Sequence, residues 1–156
     1  MFEKSGLELT TLTHGALLVT GKEEPNVMTI GWGFFGYMWK KKVFVAPVRQ
    51  SRYSHELLDN NGTFTVSFPK EGTMKEAIAF AGTKSGRDVD KFEALGLEKI
   101  PAPLADSYFV GGAESYIECK IIGKMDLDIN MLDDDAKAWY KDGDMHTLYF
   151  GEILEK

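Results

Sequence analysis

A short segment of strict polar and apolar alternation constrains the fold of this chain more than any other feature. Residues 63–68 read TFTVSF, so threonine and serine alternate with phenylalanine and valine, and Pro69 follows. Because successive side chains of a β-strand point to opposite faces of a sheet, this period of two predicts a strand with one buried face. Proline cannot donate to a strand ladder and ends the segment. The chain is therefore expected to fold around a β-sheet.

Other segments also have the composition of strands. Some are short apolar runs, rich in valine or bounded by glycine or proline, as expected of buried strands. The last two are longer, and an internal glycine in each predicts a bulge or a bend. With residues 63–68 they make about six strands. The further predicted segments are residues 16–20, 26–33, 43–48, 116–125 and 145–154.

Helical signals are short and lie between the strands. Each predicted helix begins at a capping residue or an acidic cluster, or ends at a glycine. The predicted helices are residues 51–61, a helix opened by a capping box from Thr73 to Glu76 and stopped at Gly82, a helix capped by Asp88 and stopped at Gly96, and residues 133–140.

Strands should therefore dominate one mainly β domain over residues 1–156. The connections are too irregular for a doubly wound α/β sheet, so a small antiparallel barrel with short peripheral helices is expected. Residues 40–42, three lysines, are expected to form a solvated hairpin turn.

Composition and charge exclude several classes of protein. Hydrophobic residues make up 44% and charged residues 27% of the 156 residues, which excludes a disordered chain or a disulfide scaffold. The net charge of -6 provides no general attraction for nucleic acid or an anionic membrane, so an anionic ligand needs a local basic pocket. Cys119 is the single cysteine, so no intramolecular disulfide is expected, and the amino end does not resemble a signal peptide. Both features predict a cytoplasmic protein. Residues 30–39, the longest apolar stretch, are too short to span a membrane.

Residues 26–39, NVMTIGWGFFGYMW, combine aromatic side chains with glycines. One interpretation is a platform for a flat ligand, in which glycines let backbone amides approach the polar edge of a ring while Trp32 covers its apolar face. The other interpretation is a core strand bent at its glycines. Composition alone leaves both open.

Residues 49–54, RQSRYS, lie between a predicted strand and a predicted helix. Two arginines, several hydroxyl groups and the free amides of a helix N-terminus are the chemistry of a phosphate site. Residues 83–97 contain a Ser-Gly turn followed by charges of both signs, which suits either a capped surface helix or hydrogen bonds to a polar ligand.

Other catalytic or cofactor sites find little support. His14, His55 and His146 do not have the spacing of metal ligands, so no metal site is expected. Cys119 alternates with isoleucines and is expected to be a buried small hydrophobe. No glycine-rich fingerprint predicts a Rossmann dinucleotide site, and no serine lies in a nucleophile elbow.

Together these motifs resemble the flavin reductase-like family of FMN-binding split barrels, particularly its flavoredoxin-like branch. The residues that carry the resemblance are NVMTIGW from Asn26, RQSRYS from Arg49, SGRDVDKF from Ser85 and DMHTLYFGEI from Asp144. The chain departs from the family pattern where Gln50 replaces a proline and Ser54 a threonine, and where Met145 separates Asp144 from His146. The implied fold is a split β-barrel with Greek-key-like connections.

The resemblance implies a set of FMN-binding residues. Thr29 would bond to the polar edge of the isoalloxazine, and His146 would lie near the ring face as the one candidate catalytic residue. The ring would be lined by Asn26, Met28, Thr29, Ile30, Gly31 and Trp32; the ribityl chain and phosphate would be held by Val48, Arg49, Ser51, Arg52, Tyr53 and Ser54; and the site would be closed by Ser85, Gly86 and Lys91.

The implied activity is electron transfer from NADH or NADPH, through bound FMN, to free flavin or a redox protein. Lys84 and Arg87, beside Lys91, are candidates to meet the approaching nucleotide. An FMN electron carrier without reductase activity, and a small barrel binding module without flavin, are the alternatives. A homodimer with FMN near its interface is expected, because the aromatic residues exceed what a small core absorbs. These aromatic residues are Phe34, Phe35, Tyr37, Trp39 and Tyr53.

Overall fold

The computed structural model describes residues 12–156, and β-strands form most of the ordered elements. All pairings between them are antiparallel. The strands in this range are β1 (Ala16–Thr20), β2 (Asn26–Ile30), β3 (Phe34–Met38), β4 (Lys41–Arg49), β5 (Thr63–Phe68), β6 (Lys99–Pro101), β7 (Tyr108–Val110), β8 (Ser115–Asp126) and β9 (His146–Ile153).

Seven of these strands form one sheet in the order β2-β1-β5-β8-β9-β4-β3, and β6 pairs with β7 in a separate hairpin. The prediction of a mainly β, antiparallel fold is confirmed. Every predicted strand is present, whereas β3, β6 and β7 were not predicted as separate strands. Thr63–Phe68 keeps its alternating pattern, although both of its faces are buried, because β7 and the loops beside it cover the polar face.

Short helices lie between the strands, as predicted, but two of their caps differ. Thr73 is not the cap of the second helix: its hydroxyl donates to the Lys70 carbonyl at 2.6 Å, and Met74 is the N-cap. Asp90, not Asp88, caps the third helix by accepting from the Glu93 amide. The α-helices in the described range are α1 (Tyr53–Asn61), α2 (Lys75–Thr83), α3 (Lys91–Leu95) and α4 (Asp134–Lys137). The second helix runs one residue past its predicted stop at Gly82, and the predicted helix 133–140 is divided into α4 and a 3-10 turn, Ala138–Tyr140; a second 3-10 turn covers Ile129–Met131.

The hairpin between β3 and β4 turns one residue earlier than predicted. Trp39 and Lys40 have φ values of 55° and 58°, the left-handed pair that a tight two-residue hairpin turn requires. Lys41 and Lys42 therefore belong to β4, and the Lys41 ammonium bonds to Glu152 on β9 at 2.7 Å.

The core is formed by the facing side chains of the large sheet. Phe44, Phe64 and Tyr149 are among its largest fully buried side chains, and Cys119 is buried with them, where burial raises the pKa of its thiol. The glycine of β8, Gly123, lies at a shift in register, as predicted, whereas Gly151 of β9 packs directly against Phe64. The long β4–β9 pairing ends with Arg49 opposite His146, which brings two predicted site residues together.

No helix within residues 12–156 is both long and apolar enough to cross a membrane. The cytoplasmic location remains a prediction.

Candidate functional site

A cleft in two lobes opens beside the ends of β2, β4 and β9. One lobe, called here the aromatic lobe, is formed by the end of β2, the end of β4, the first residue of β9 and the last turn of α2. It is lined by Met28, Thr29, Ile30, Gly31, Trp32, Pro47, Arg49, Arg52, Gly82 and His146.

The second lobe, called here the cationic lobe, lies between the start of α1 and the loop that joins α2 to α3. Arg52 lines both lobes, so the two meet at its side chain. The cationic lobe is lined by Asn26, Ser51, Arg52, Tyr53, Thr83, Lys84, Ser85, Gly86 and Lys91.

Two cations converge at the inner end of the cationic lobe. Arg52 donates to the carbonyls of Ala81 and Gly82 at 3.0 Å each, and the buried Lys91 ammonium donates to the same Ala81 carbonyl at 3.0 Å. These carbonyls belong to the last turn of α2, which carries the negative end of the helix dipole. Neither cation forms an ion pair with a carboxylate among the described residues.

The unpaired charges affect each other. Burial, with a further contribution from Arg52, lowers the pKa of Lys91 from 10.5 to about 8. Burial also lowers the pKa of Arg52, an effect that the carboxylate of Asp144 opposes. Two positive charges held together in a pocket favour an anion that neutralises both.

The loop over the cationic lobe is fixed to α1. The Asn26 amide donates to Ser54 Oγ at 2.9 Å, and a Cβ atom at Gly86 would overlap the Asn26 side chain, so only glycine fits there. Arg87 donates to the Ser51 carbonyl at 3.1 Å and lies over the Tyr53 ring. The loop therefore closes one side of the lobe with backbone held close to α1.

Closely packed aromatic rings, tilted or edge to face, define the aromatic lobe. The Trp32 ring lies 5.0 Å from that of His146 and 5.3 Å from that of Trp139, which follows α4. Tyr140 Oη is 2.6 Å from His146 Nδ1. Burial first, and then the positive charge of Arg49, lower the pKa of His146 to about 4, so its imidazole is neutral at physiological pH.

Arg49 and Thr29 have positions that differ from their predicted roles. Arg49 donates to the carbonyls of Asp144 at 2.7 Å and Trp139 at 3.2 Å, so it positions the segment around the aromatic lobe and does not join the cations of the other lobe. The Thr29 hydroxyl donates to the Ile78 carbonyl at 2.6 Å, which leaves its oxygen as an acceptor only.

Most of the predicted site residues line this cleft, but three do not. Val48 is buried in the core between Pro47 and Arg49, because alternate residues of β4 face opposite sides. Ser54 is fully buried and supports Asn26, and Arg87 is held outside the lobe by Ser51 and by Glu56 at 3.6 Å.

Several residues at the site were not predicted. Pro47, Gly82 and Thr83 line the lobes, and Trp139, Tyr140 and Asp144 surround them. Asp144 and Pro47 could have been suggested by their position next to predicted site residues. Gly82 and Thr83 also directly precede the predicted Lys84, whereas Trp139 and Tyr140 come from a distant segment that no local pattern marks.

The chain matches the family model described as "Flavin reductase like domain" over residues 9–156. An uncharacterized protein of Archaeoglobus fulgidus is 29% identical over 138 residues, which are 88% of this chain and 68% of the relative. The uncharacterized protein YddH of Escherichia coli is 27% identical over 117 residues, 71% of this chain and 61% of the relative. This chain thus spans about two thirds of the length of the curated relatives it matches.

Solved structures give the same fold. The flavoredoxin of Desulfovibrio vulgaris (Miyazaki F) aligns with a TM-score of 0.71 and 25% identity over 90% of this chain and 67% of that one. An NADH:FAD oxidoreductase of Streptomyces globisporus aligns with a TM-score of 0.70 and 20% identity, covering 90% and 72% of the two chains. The match to the family model covers nearly the whole chain and agrees with these folds, so the protein belongs to the flavin reductase-like family, on its flavoredoxin-like side.

Proposed function

We propose that this protein is an FMN-binding oxidoreductase that passes electrons from NADH or NADPH, through the bound flavin, to free flavin or a redox protein. The observation that carries the proposal is a cleft with Arg52 and Lys91 at one end and aromatic side chains at the other. Neither cation forms an ion pair with a carboxylate of the described residues. A flat ring with a phosphate at the end of a flexible chain matches both ends of such a cleft.

The cationic lobe would hold the phosphate. Arg52 and Lys91 supply charge, and the hydroxyl of Ser85 and the amides at the start of α1 supply further donors. The aromatic lobe would hold the isoalloxazine, with the exposed backbone at Gly31 close to the polar edge of the ring and Trp32 beside it.

When bound, the flavin supplies the hydride and electron chemistry that no side chain provides. The protein's own residues position and shield it. His146 lies at the ring end as a neutral imidazole held by Tyr140, and Trp32 and Trp139 pack together beside it and limit the access of water.

An electron carrier without reductase activity is the second candidate, and two observations favour it. Arg87, a predicted contact for the nucleotide, already donates to the Ser51 carbonyl and lies 3.6 Å from the carboxylate of Glu56, which offsets its charge. Residues 126–144, which flank the aromatic lobe, contain seven aspartates and two lysines. This negative charge opposes the approach of a dinucleotide that carries two phosphates.

We also propose a homodimer with the flavin near its interface. The end strand β3 and the turn after it expose Tyr37 by 74%, Trp39 by 54% and Phe34 by 53%. Large aromatic side chains exposed together on an end strand are typical of a protein interface. Phe34 follows Trp32 by two residues, so an interface on β3 would lie beside the aromatic lobe.

Two residues expected at that interface have other positions. Phe35 packs into the core against Phe44 at 4.9 Å, and Tyr53 lies under Arg87 in the cationic lobe. The interface proposal therefore rests on β3 and its turn. Light scattering should give twice the mass of one chain, and a monomer with full FMN occupancy would contradict it.

The experiment that tests the proposed function is flavin uptake followed by anaerobic reduction. The protein is expected to purify yellow or to bind added FMN, with the released flavin identified by mass. Excess NADH or NADPH should then bleach the flavin without oxygen. Bleaching by dithionite but by neither nucleotide would support the carrier, and a colourless protein that ignores FMN would contradict both candidates.

A further inference from the structure

Asp144 places a carboxylate against Ser51, which lines the cationic lobe. The Ser51 hydroxyl donates to Asp144 Oδ2 at 2.5 Å, and the Ser51 amide donates to Oδ1 at 3.1 Å. Two backbone hydrogen bonds also hold Asp144 in place: its carbonyl accepts from Arg49, and its amide donates to Asp142 at 3.0 Å. Together these contacts fix the position of the carboxylate beside Ser51.

The donors that Asp144 engages belong to the cationic lobe. Ser51 lines that lobe, one residue before Arg52, and its hydroxyl and amide point to an anion just ahead of α1. A phosphate in the lobe would draw on the same two donors. The Asp144 carboxylate also interacts with Arg52, whose pKa it acts to raise, and its own negative charge offsets part of the positive potential that a ligand would meet.

We propose that Asp144 is a specificity-determining residue that weakens the binding of a phosphate dianion and so keeps FMN exchangeable. The inference rests on the proposed function. Like charges a few ångströms apart repel strongly in a half-buried site, and the repulsion grows with the charge of the ligand. Asp144 thus lowers affinity for FMN more than for riboflavin, which carries no phosphate.

The consequence concerns how the flavin is used. Two cations without a nearby carboxylate would bind the FMN phosphate tightly. The Asp144 carboxylate competes with that phosphate for Ser51, which weakens binding and allows FMN to dissociate. Exchangeable flavin suits a protein whose electron acceptor is flavin itself, because the bound flavin can depart in its reduced form and be replaced by an oxidised one. In balance, NADH or NADPH would be oxidised by loss of a hydride, and that hydride, with one proton from solvent, would leave on the reduced flavin.

The test compares the flavin-free parent with Asp144→Asn, which removes the charge and keeps an oxygen that can accept from Ser51. Dissociation constants for FMN and riboflavin are measured by quenching of flavin fluorescence at low salt. FMN is expected to bind the variant about tenfold more tightly, with riboflavin changed less than about twofold. Asp144→Ser, which also removes the charge, should tighten FMN in the same way.

Asp142→Asn is the matched control, because it removes one charge from the same loop without contacting Ser51; its effect on FMN should be less than about twofold. If the parent binds FMN and both Asp144 variants bind it equally or more weakly, Asp144 is a structural brace and the inference is wrong. If the parent binds no flavin, the proposed function fails and the inference fails with it. Thermal unfolding of each variant shows that it is folded.

Discussion

The two lobes of the cleft obtain their properties in opposite ways. Among residues 12–156, the cationic lobe keeps Arg52 and Lys91 without carboxylate ion pairs and satisfies them with the carbonyls of α2. In the aromatic lobe the His146 imidazole is neutral and packed against Trp32, and Arg49 is held by backbone carbonyls. Because one lobe binds the anion and the other places the ring, the two tasks are separable. Changes in the cationic lobe should affect affinity for FMN more than for riboflavin, and changes in the aromatic lobe should affect both affinities.

The largest expected effect is that of Arg52→Ala on FMN. Hydrogen bonds to charged groups contribute about 1.5 to 3 kcal/mol, so FMN affinity should fall about 10- to 100-fold. Riboflavin affinity should change less than about threefold, because riboflavin has no phosphate for Arg52 to meet. Isothermal titration of both ligands measures the split.

Arg49→Ala is the matched control, since it removes an arginine that positions residues around the aromatic lobe. This variant should weaken FMN and riboflavin to the same extent. Equal losses of both ligands in Arg52→Ala would show instead that Arg52 only supports the end of α2, and the separation of the two lobes would be lost.

Lys91→Met is expected to lower FMN affinity about tenfold while raising the stability of the flavin-free protein. The reason is that the folded state holds a buried ammonium at a pKa of about 8, against 10.5 in the unfolded chain. At pH 7 this penalty is almost fully present, and it amounts to on the order of 3 kcal/mol. Removing the charge should therefore raise Tm by several degrees.

The free-energy cost of burying the charged Lys91 should decrease as the pH rises. Between pH 8 and 10.5 the unfolded chain binds the Lys91 proton and the folded chain does not, so this group's contribution to the free energy of unfolding rises with pH across that range. The Tm advantage of Lys91→Met should shrink as pH increases from 8 to 10.5. An advantage that stays constant would mean that Lys91 is not a buried cation.

Gly31→Ala tests the ring end with a smaller expected effect. A Cβ atom at Gly31 meets no protein atom within 4 Å, so the variant should unfold at nearly the parent's temperature. If the ring lies against this backbone, affinity for FMN and riboflavin should fall together, by about fivefold. Gly36→Ala, also in open space but on β3, is the control and should leave both affinities unchanged.

The smallest expected effect is that of Tyr140→Phe. It removes the hydrogen bond to His146 Nδ1 and should lower the free energy of unfolding by about 1 kcal/mol.

The folded chain keeps His146 neutral down to pH about 4, whereas the unfolded chain protonates it near 6.5. The unfolded state therefore binds more protons between these values, and stability should fall as pH drops from 6.5 to 4. His146→Phe should flatten that fall, and an unchanged slope would place the titration elsewhere.

The strands that sequence could predict are those whose pattern is local. Thr63–Phe68 alternates and the valine-rich β4 is buried, so both were predictable. β3 was not separated from the glycine-rich run before it, because its exposed aromatic side chains do not alternate with polar ones. β6 and β7 have three residues each, too few to show any period.

The site residues also divide into those that a local motif predicts and those that only the fold brings together. Arg52 lies in a motif whose residue types suggested a phosphate site, and Ser85 lies in one that suggested either a capped helix or hydrogen bonds to a polar ligand. The structure brings both residues into one lobe. Trp139 and Tyr140 reach the other lobe from a segment more than one hundred residues after Trp32, which no local pattern reveals. Arg49 and Arg52 look alike in the motif, but Arg49 donates to the carbonyls of Asp144 and Trp139 whereas Arg52 donates to the carbonyls at the end of α2, a difference that only the fold reveals.

The measurement that tests the central claim most directly is phosphorus NMR of bound FMN between pH 5 and 8. A free phosphate monoester loses its second proton at a pKa of about 6. Held between Arg52 and Lys91, the phosphate should stay dianionic across this range, with a resonance that does not move with pH. A bound phosphate that titrates near pH 6, as in free FMN, would show that it points into solvent and would contradict the assignment of the cationic lobe.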